Sequence, residues 1–221
     1  MTGKALIEKE KGNGTVRFLT FNVNGIRTFF HYHPFSGMNQ SLTDVFDYFK
    51  ADIVTFQELK TDRQSMAKWG KVPGFFSFIS IPQLKKGYSG VGCWVRIYPE
   101  EHPLHDAMHV LKAEEGITGM LTVKIGKMNV RYRDDPNLGI GGYDSLGIGD
   151  TDEREGLKLD SEGRCVMIEL ACNIVVVNVY CPANSTLSEE GQSFRIKFLG
   201  VLFKRIRNLD KMVKKGVLMG D

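Results

Sequence analysis

Four short apolar runs in this chain each end in a polar group. Phe18-Leu-Thr-Phe21 leads to Asn22, and Ile53-Val-Thr-Phe56 leads to Gln57 and Glu58. Ile174-Val-Val-Val-Asn-Val179 leads to Tyr180, and Val217-Leu-Met219 leads to Gly220 and Asp221. If these ends lie on one edge, they bring together an amide, two carboxylates and a phenol. Oxygen donors of that kind suit a hard cation such as Mg²⁺, and Mn²⁺ satisfies the same oxygens. Such a cation polarises a phosphoryl oxygen and activates water. Each end taken singly also reads as the point where a strand emerges into solvent. Only the agreement among four points to a site.

The elements that would position these groups are legible as runs and periodicities. Val16 to Phe21 is short, apolar and aromatic, as a strand is, and stops at the Asn24-Gly25 turn signal. Ser41-Leu-Thr-Asp44 resembles a capping box with Asp in place of Glu. Leu42, Val45, Phe46 and Phe49 follow at i, i+3, i+4 and i+7, one face of a helix. Strands are expected over 52–58, 74–81 and 91–97. A hairpin is expected from 164–170 and 173–180 around Ala171-Cys172-Asn173. The second arm of that hairpin is almost continuously apolar, as expected for a strand buried on both faces. A long helix starts near Ser188, with Phe194, Phe198, Leu199, Leu202, Ile206 and Leu209 as its stripe. Gly216 is its expected stop. The glycine- and acid-rich stretch at about 134–162 reads as a surface insertion, and residues 1–14 as a disordered tail. Strands alternating with amphipathic helices make an α/β pattern, with helices outside a strand-rich core.

Composition bounds the rest. At 42% apolar and 25% charged residues, the chain is excluded from the disordered class. The net charge of +3 permits a nucleic-acid partner without demanding one. No apolar run reaches the roughly 18 residues of a membrane span. The N-terminus lacks a secretory core. Cys93, Cys165, Cys172 and Cys181 lie in or beside apolar runs without a C-x-x-C pair, which suits reduced thiols in an intracellular protein. The chain's last residues read as a buried strand ending in a carboxylate. Termini usually lie at the surface, so further chain is expected beyond Asp221.

Six segments occur in order: Thr20-Phe-Asn-Val-Asn-Gly-Ile-Arg27, Phe56-Gln-Glu-Leu-Lys60, Gly87-Tyr-Ser-Gly-Val-Gly92, Ser161-Glu-Gly-Arg164, Val179-Tyr-Cys-Pro182 and Met219-Gly-Asp221. Together they resemble the exonuclease III family of apurinic/apyrimidinic endonucleases, and most closely its type-2 branch in the fungal form. The resemblance implies a four-layer α/β sandwich of the endonuclease/exonuclease/phosphatase type, with its C-terminal half missing here. It implies Mg²⁺-dependent hydrolysis of DNA phosphodiesters at abasic sites and 3′ ends, in base excision repair and in the nucleus. Glu58 matches the metal-binding Glu, and Asn22 the Asn of the same centre. Tyr180 matches the Tyr beside the scissile phosphate. Asp221 matches the Asp that touches the metal site and handles the proton of the attacking water or the leaving group. Arg27, Lys60, Tyr88, Arg164 and Asn184 fall in motifs that lie near the DNA.

There are departures from the family pattern. Asn24 stands where the best-known relatives have Asp, which removes a charge from the metal neighbourhood. Asn184 is displaced by one position. The motif beginning Gly220-Asp221 continues beyond the residues present, so the chain alone is expected to be inactive. Docking of replication or repair partners would involve the missing region. Two alternatives stand beside this: a DNA-binding fragment without turnover, and a fold-related phosphoesterase acting on inositol phosphates, lipids or RNA tails. His105 and His109 have metal-ligand spacing but lack the Glu of a zinc-protease helix and read as surface. Gly139 to Gly149 does not sit between a strand and a helix, so it is no dinucleotide fingerprint.

Overall fold

The computed structural model describes residues 11, 12, 14–148 and 152–221, apart from the Lys68 side chain. Most of the tail expected over 1–14 lies outside the described residues. In chain order the elements are β1 Phe18–Asn22, α1 Ile26–Phe29, α2 Leu42–Phe49, β2 Ile53–Gln57, α3 Arg63–Trp69, β3 Phe75–Ser80, β4 Val91–Arg96 and β5 Val110–Glu115. Then follow β6 Thr122–Ile125, β7 Met128–Arg131, α4 Glu153–Asp160, β8 Cys165–Leu170, β9 Ile174–Val179, α5 Glu189–Lys211 and β10 Lys215–Gly220.

The strands form two four-stranded sheets, ordered β1-β2-β4-β3 and β10-β9-β8-β5, plus a β6–β7 hairpin. Three apolar clusters define the layers. Ile26, Phe29, Phe46 and Met66 of α1–α3 pack on Val54, Phe56 and Trp94 of the first sheet. Ile53, Cys93 and Val95 meet Val166, Ile168 and Val176 between the sheets. Phe198, Val201, Leu202 and Leu209 of α5 cover Met167, Val175 and Val177 on the far face of the second sheet. The order is helix, sheet, sheet, helix. β2, β8 and nearly all of β9 are buried along their length, which explains their unbroken apolar sequences.

Local chemistry accounts for the helix starts. The Ser41 hydroxyl accepts from the Asp44 N–H at 3.2 Å, and the Ser188 hydroxyl accepts from the Gly191 N–H at 3.0 Å. The end of α5 differs from expectation. It stops at Lys211, because Val213 takes a left-handed conformation (φ 62°) and the Val213 and Lys214 N–H groups turn back to the Asp210 and Leu209 carbonyls. Gly216 lies inside β10, where a Cβ would crowd Ile206 at 3.3 Å.

In its described residues, 134–148 and 152–162, the stretch read as a surface insertion is packed and partly helical rather than a surface loop. Ile140, Leu146 and Leu159 are buried in the α5 cluster. A fully buried ion pair, Arg205 Nη1 to Glu114 Oε1 at 2.5 Å, anchors it. The Arg205 guanidinium also stacks on Tyr143 and donates to the Gly141 carbonyl at 3.1 Å. Polar glycine-rich composition concealed this, because the contacts run through a few well-spaced apolar side chains. Of the cysteines, Cys93 and Cys165 are buried, Cys181 is half-buried and Cys172 is exposed in the β8–β9 turn; all four are free thiols.

Candidate active site

The four polar strand ends share one rim. β1 runs parallel to β2 with Asn22 beside Gln57, and β10 runs parallel to β9 with Gly220 beside Val179. Parallel pairing sets the carboxyl ends within each pair side by side, and a contact between Asn22 and Asp221 brings the two pairs' ends to one rim. Asn22 joins them. Its amide nitrogen donates to Glu58 Oε1 at 2.8 Å and to Asp221 Oδ2 at 2.7 Å. Its own oxygen accepts from the Asn24 N–H at 3.0 Å.

The loops that carry these groups are laced to one another. Gly25 donates to the Glu58 carbonyl, Leu59 to Gly90 and Lys60 to Ser89, at 2.7–2.9 Å. Glu58 (φ 53°) and Lys60 (φ 46°) are both left-handed, an arrangement held in place by those bonds. Gly90 at φ +87° lets its chain approach Leu59 and Ile81 closely. On the other sheet, the Cys181 N–H donates to the Asp221 carbonyl at 2.7 Å, and the Asp221 N–H to Val179 at 3.1 Å.

Beneath the rim lies a polar contact between the sheets that the motifs did not reveal. Gln57 Nε2 donates to Asn178 Oδ1 at 2.8 Å, and Asn178 donates to the Phe56 and Gly92 carbonyls. Both side chains are buried. The signal was present in the sequence: one Asn inside an unbroken apolar strand must find partners.

Charge and burial set the protonation of the rim. Partial burial pushes the Glu58 carboxyl up, but hydrogen bonds from Asn22, Lys60 and Tyr180 and the Lys60 charge outweigh it, and the net shift is downward. Burial, then the hydrogen bond to Glu58 and its charge, push the Tyr180 phenol up to about 12. At neutral pH the site therefore pairs an ionised Glu58 with a protonated Tyr180.

The other expected residues surround this core in different ways. Arg27 is exposed, donates to Ser65 Oγ at 3.1 Å, and lines a cleft of about 280 Å³ with Asn24, Lys60 and Lys86. Lys60 is not free: its ammonium lies 2.6 Å from Glu58 Oε2 and donates to Asn24 Oδ1. Tyr88 sits between Lys85, 4.3 Å above its ring, and Arg164. Arg164 is only 4% exposed. It binds Glu162 at 2.6 Å, donates to the Tyr88 hydroxyl and the Tyr180 carbonyl, and stacks on both tyrosines. So placed, it holds two site residues rather than presenting its charge outward. Asn184 closes the turn before α5, donating to the Ser188 carbonyl at 2.9 Å and accepting from its N–H. A larger cavity, about 480 Å³, lies between β3 and β5 and has a mostly apolar wall. It lies at the opposite sheet edge from β1 and β10 and touches none of these groups.

The donor set fits a hard cation. Two carboxylates and an amide converge, with no thiol or imidazole among them. Among the described residues no three or more His, Cys, Asp or Glu side chains are placed to hold a metal ion together, so water or substrate oxygens would have to complete the shell. Among the same residues no helix is long and apolar enough to cross a membrane.

Similarity to known proteins agrees with this geometry. The chain is 68% identical over 212 residues to DNA-(apurinic or apyrimidinic site) endonuclease 2 of Saccharomyces cerevisiae, covering 96% of this chain and 41% of that protein. It is 34% identical over 213 residues to the protein of the same name from Schizosaccharomyces pombe, covering 93% and 36%. The chain thus spans about two-fifths of the length of these relatives. In fold it is similar to the Xenopus laevis APE2 catalytic domain (TM-score 0.67, 24% identity, 92% of this chain and 57% of that one). It is also similar to AP endonuclease LMAP from Leishmania major (TM-score 0.58, 18% identity, 100% and 66%). With a family model matching residues 19–221, the chain belongs to the Endonuclease/Exonuclease/phosphatase family.

Proposed function

We propose that this chain is the site-bearing part of a divalent-metal-dependent DNA phosphodiesterase acting at abasic sites and 3′ ends in nuclear base excision repair. The observation that carries this reading is the Asn22 amide, which draws Asp221 together with Glu58, itself beside the Tyr180 hydroxyl. The names of the relatives support the choice of DNA over other phosphate esters.

Glu58, Asp221 and the Asn22 amide would hold the cation, Mg²⁺ or Mn²⁺. When bound, it would offset charge developing on the phosphoryl oxygens and make water more acidic. The chain's own groups do the rest. The Tyr180 phenol stays protonated far above neutral pH and can donate to a phosphoryl oxygen. Asp221, exposed on the rim, can accept the proton of the attacking water. Arg27 and Lys86 line the adjacent cleft and suit flanking phosphates, which position a duplex without reading its sequence. Arg164 keeps Tyr88 and Tyr180 in register with each other.

The test is cleavage of a duplex bearing one abasic site by the full-length protein with Mg²⁺. Cleavage that disappears in Glu58→Gln supports the proposal. A full-length protein that leaves the duplex intact, or a Glu58→Gln variant as active as wild type, rejects it.

A further inference from the structure

Both oxygens of the Glu58 carboxylate are engaged by the chain's own donors. Oε1 takes the Asn22 amide at 2.8 Å and Oε2 takes the Lys60 ammonium at 2.6 Å, with the Tyr180 hydroxyl close beside them. A cation binding Glu58 competes with these donors for the same two oxygens. Asn22 is tied down on every side, since it bridges two carboxylates and accepts from Asn24. Tyr180 is fixed at its carbonyl and beneath its ring by buried Arg164. Lys60 is different. Its side chain is 36% exposed, and its stem is flexible. Beyond Glu58, among the described residues its ammonium is held by the neutral oxygen of Asn24. An ammonium and a divalent ion on the same carboxylate also repel each other, so the mobile cation is the one that leaves.

Where the ammonium goes follows from the cleft. Lys60 shares that cleft with Arg27 and Lys86, and Asp221 is not among the residues that line it. Released from Glu58, its nearest unmet need is an anion, and a DNA phosphate in the cleft supplies one.

Building on the function proposed above, we infer that Lys60 is a resident placeholder cation. It occupies Glu58 in the metal-free protein, is displaced by the divalent ion, and then binds a DNA phosphate, so that metal and DNA binding reinforce each other through one side chain. The reinforcement is reciprocal: whatever the metal adds to DNA affinity, DNA adds to metal affinity. Asn24 has a part in this. A carboxylate there would retain the ammonium after the metal arrived, whereas the amide lets it go.

Two measurements on the full-length protein test the inference. Mn²⁺ affinity without DNA is read by electron paramagnetic resonance for wild type, Lys60→Gln and Lys60→Arg. Duplex affinity with and without metal is read by fluorescence anisotropy, using DNA with a non-cleavable phosphate analogue at the target bond. Lys60→Gln should bind Mn²⁺ about tenfold more tightly than wild type while binding the duplex more weakly. The gain in DNA affinity on adding metal should shrink by a similar factor. Lys60→Arg should stay near wild type in both. If Lys60→Gln binds Mn²⁺ no better than wild type, with an unchanged thermal transition, the placeholder role is wrong and the proposed activity is untouched. If neither protein binds Mn²⁺ at all, both readings fall.

Discussion

Gln57 on β2 and Asn178 on β9 meet across the interior of the sandwich, Nε2 to Oδ1 at 2.8 Å, each close to the end of its strand. Their contact fixes the height of one sheet against the other. Glu58 follows Gln57, and Tyr180 follows Asn178 by two positions. Asn178→Ala removes one of the two acceptors of the Gln57 amide, which keeps Thr20 Oγ1 at 3.1 Å, and takes the buried side-chain donor from the Phe56 and Gly92 carbonyls. Such groups cost about 1–3 kcal/mol when stranded in a dry interior. Urea denaturation should show a loss in that range, with the slope unchanged.

Glu58 makes stability depend on acid in a defined direction. Its folded pKa lies below the ordinary 4.5, so its hydrogen bonds contribute fully above that value and are lost as pH falls through the lower folded value. Glu58→Gln cannot titrate. The stability difference between wild type and Glu58→Gln should therefore be flat from pH 7 to about 5 and shift against wild type below 4.5. Thermal unfolding across that range reads the difference, and a difference independent of pH would contradict it.

Tyr180→Phe keeps the ring over Arg164 and removes only the hydroxyl. On the proposed function, kcat for abasic-site cleavage should fall on the order of 10²-fold, the effect of losing one aimed donor, with KM little changed. Because the phenol is pushed up to about 12, the wild-type rate should show no loss assignable to this group up to pH 10.

The Glu114–Arg205 pair is the test of the 134–148 segment. Arg205→Met strands a buried carboxylate that also accepts from the Ile140 N–H and the Tyr143 hydroxyl. A loss of about 3–5 kcal/mol is expected. Glu114→Gln combined with Arg205→Met should be less damaging than the two single losses added together. Chemical denaturation of the four proteins closes the cycle.

Much of the fold was legible because its signals are local. The Ser41 cap, the α2 periodicity and the apolar runs of β2 and β9 each follow from a few neighbouring residues. The rim was legible for the same reason, as four strands ending in polar groups. What stayed hidden depends on partners distant in sequence. β5 and the β6–β7 hairpin are charged and half-exposed and carry no clear alternation. The 134–148 segment looked loose because its anchor, Arg205, lies far along the chain on α5. Lys60 and Arg164 matched motifs associated with DNA, but spacing cannot show that one sits on Glu58 and the other under two tyrosine rings.

The rim draws Asn22 and Glu58 from one sheet, and Tyr180 and Asp221 from the other. No subset of the fold can hold it. A site built within one loop can fray while the domain stays intact, but this one belongs to the last cooperative unit to open. Amide protons at Val23, Gly25 and Tyr180 should exchange as slowly as those of the central strands, and loss of the site should coincide with global unfolding.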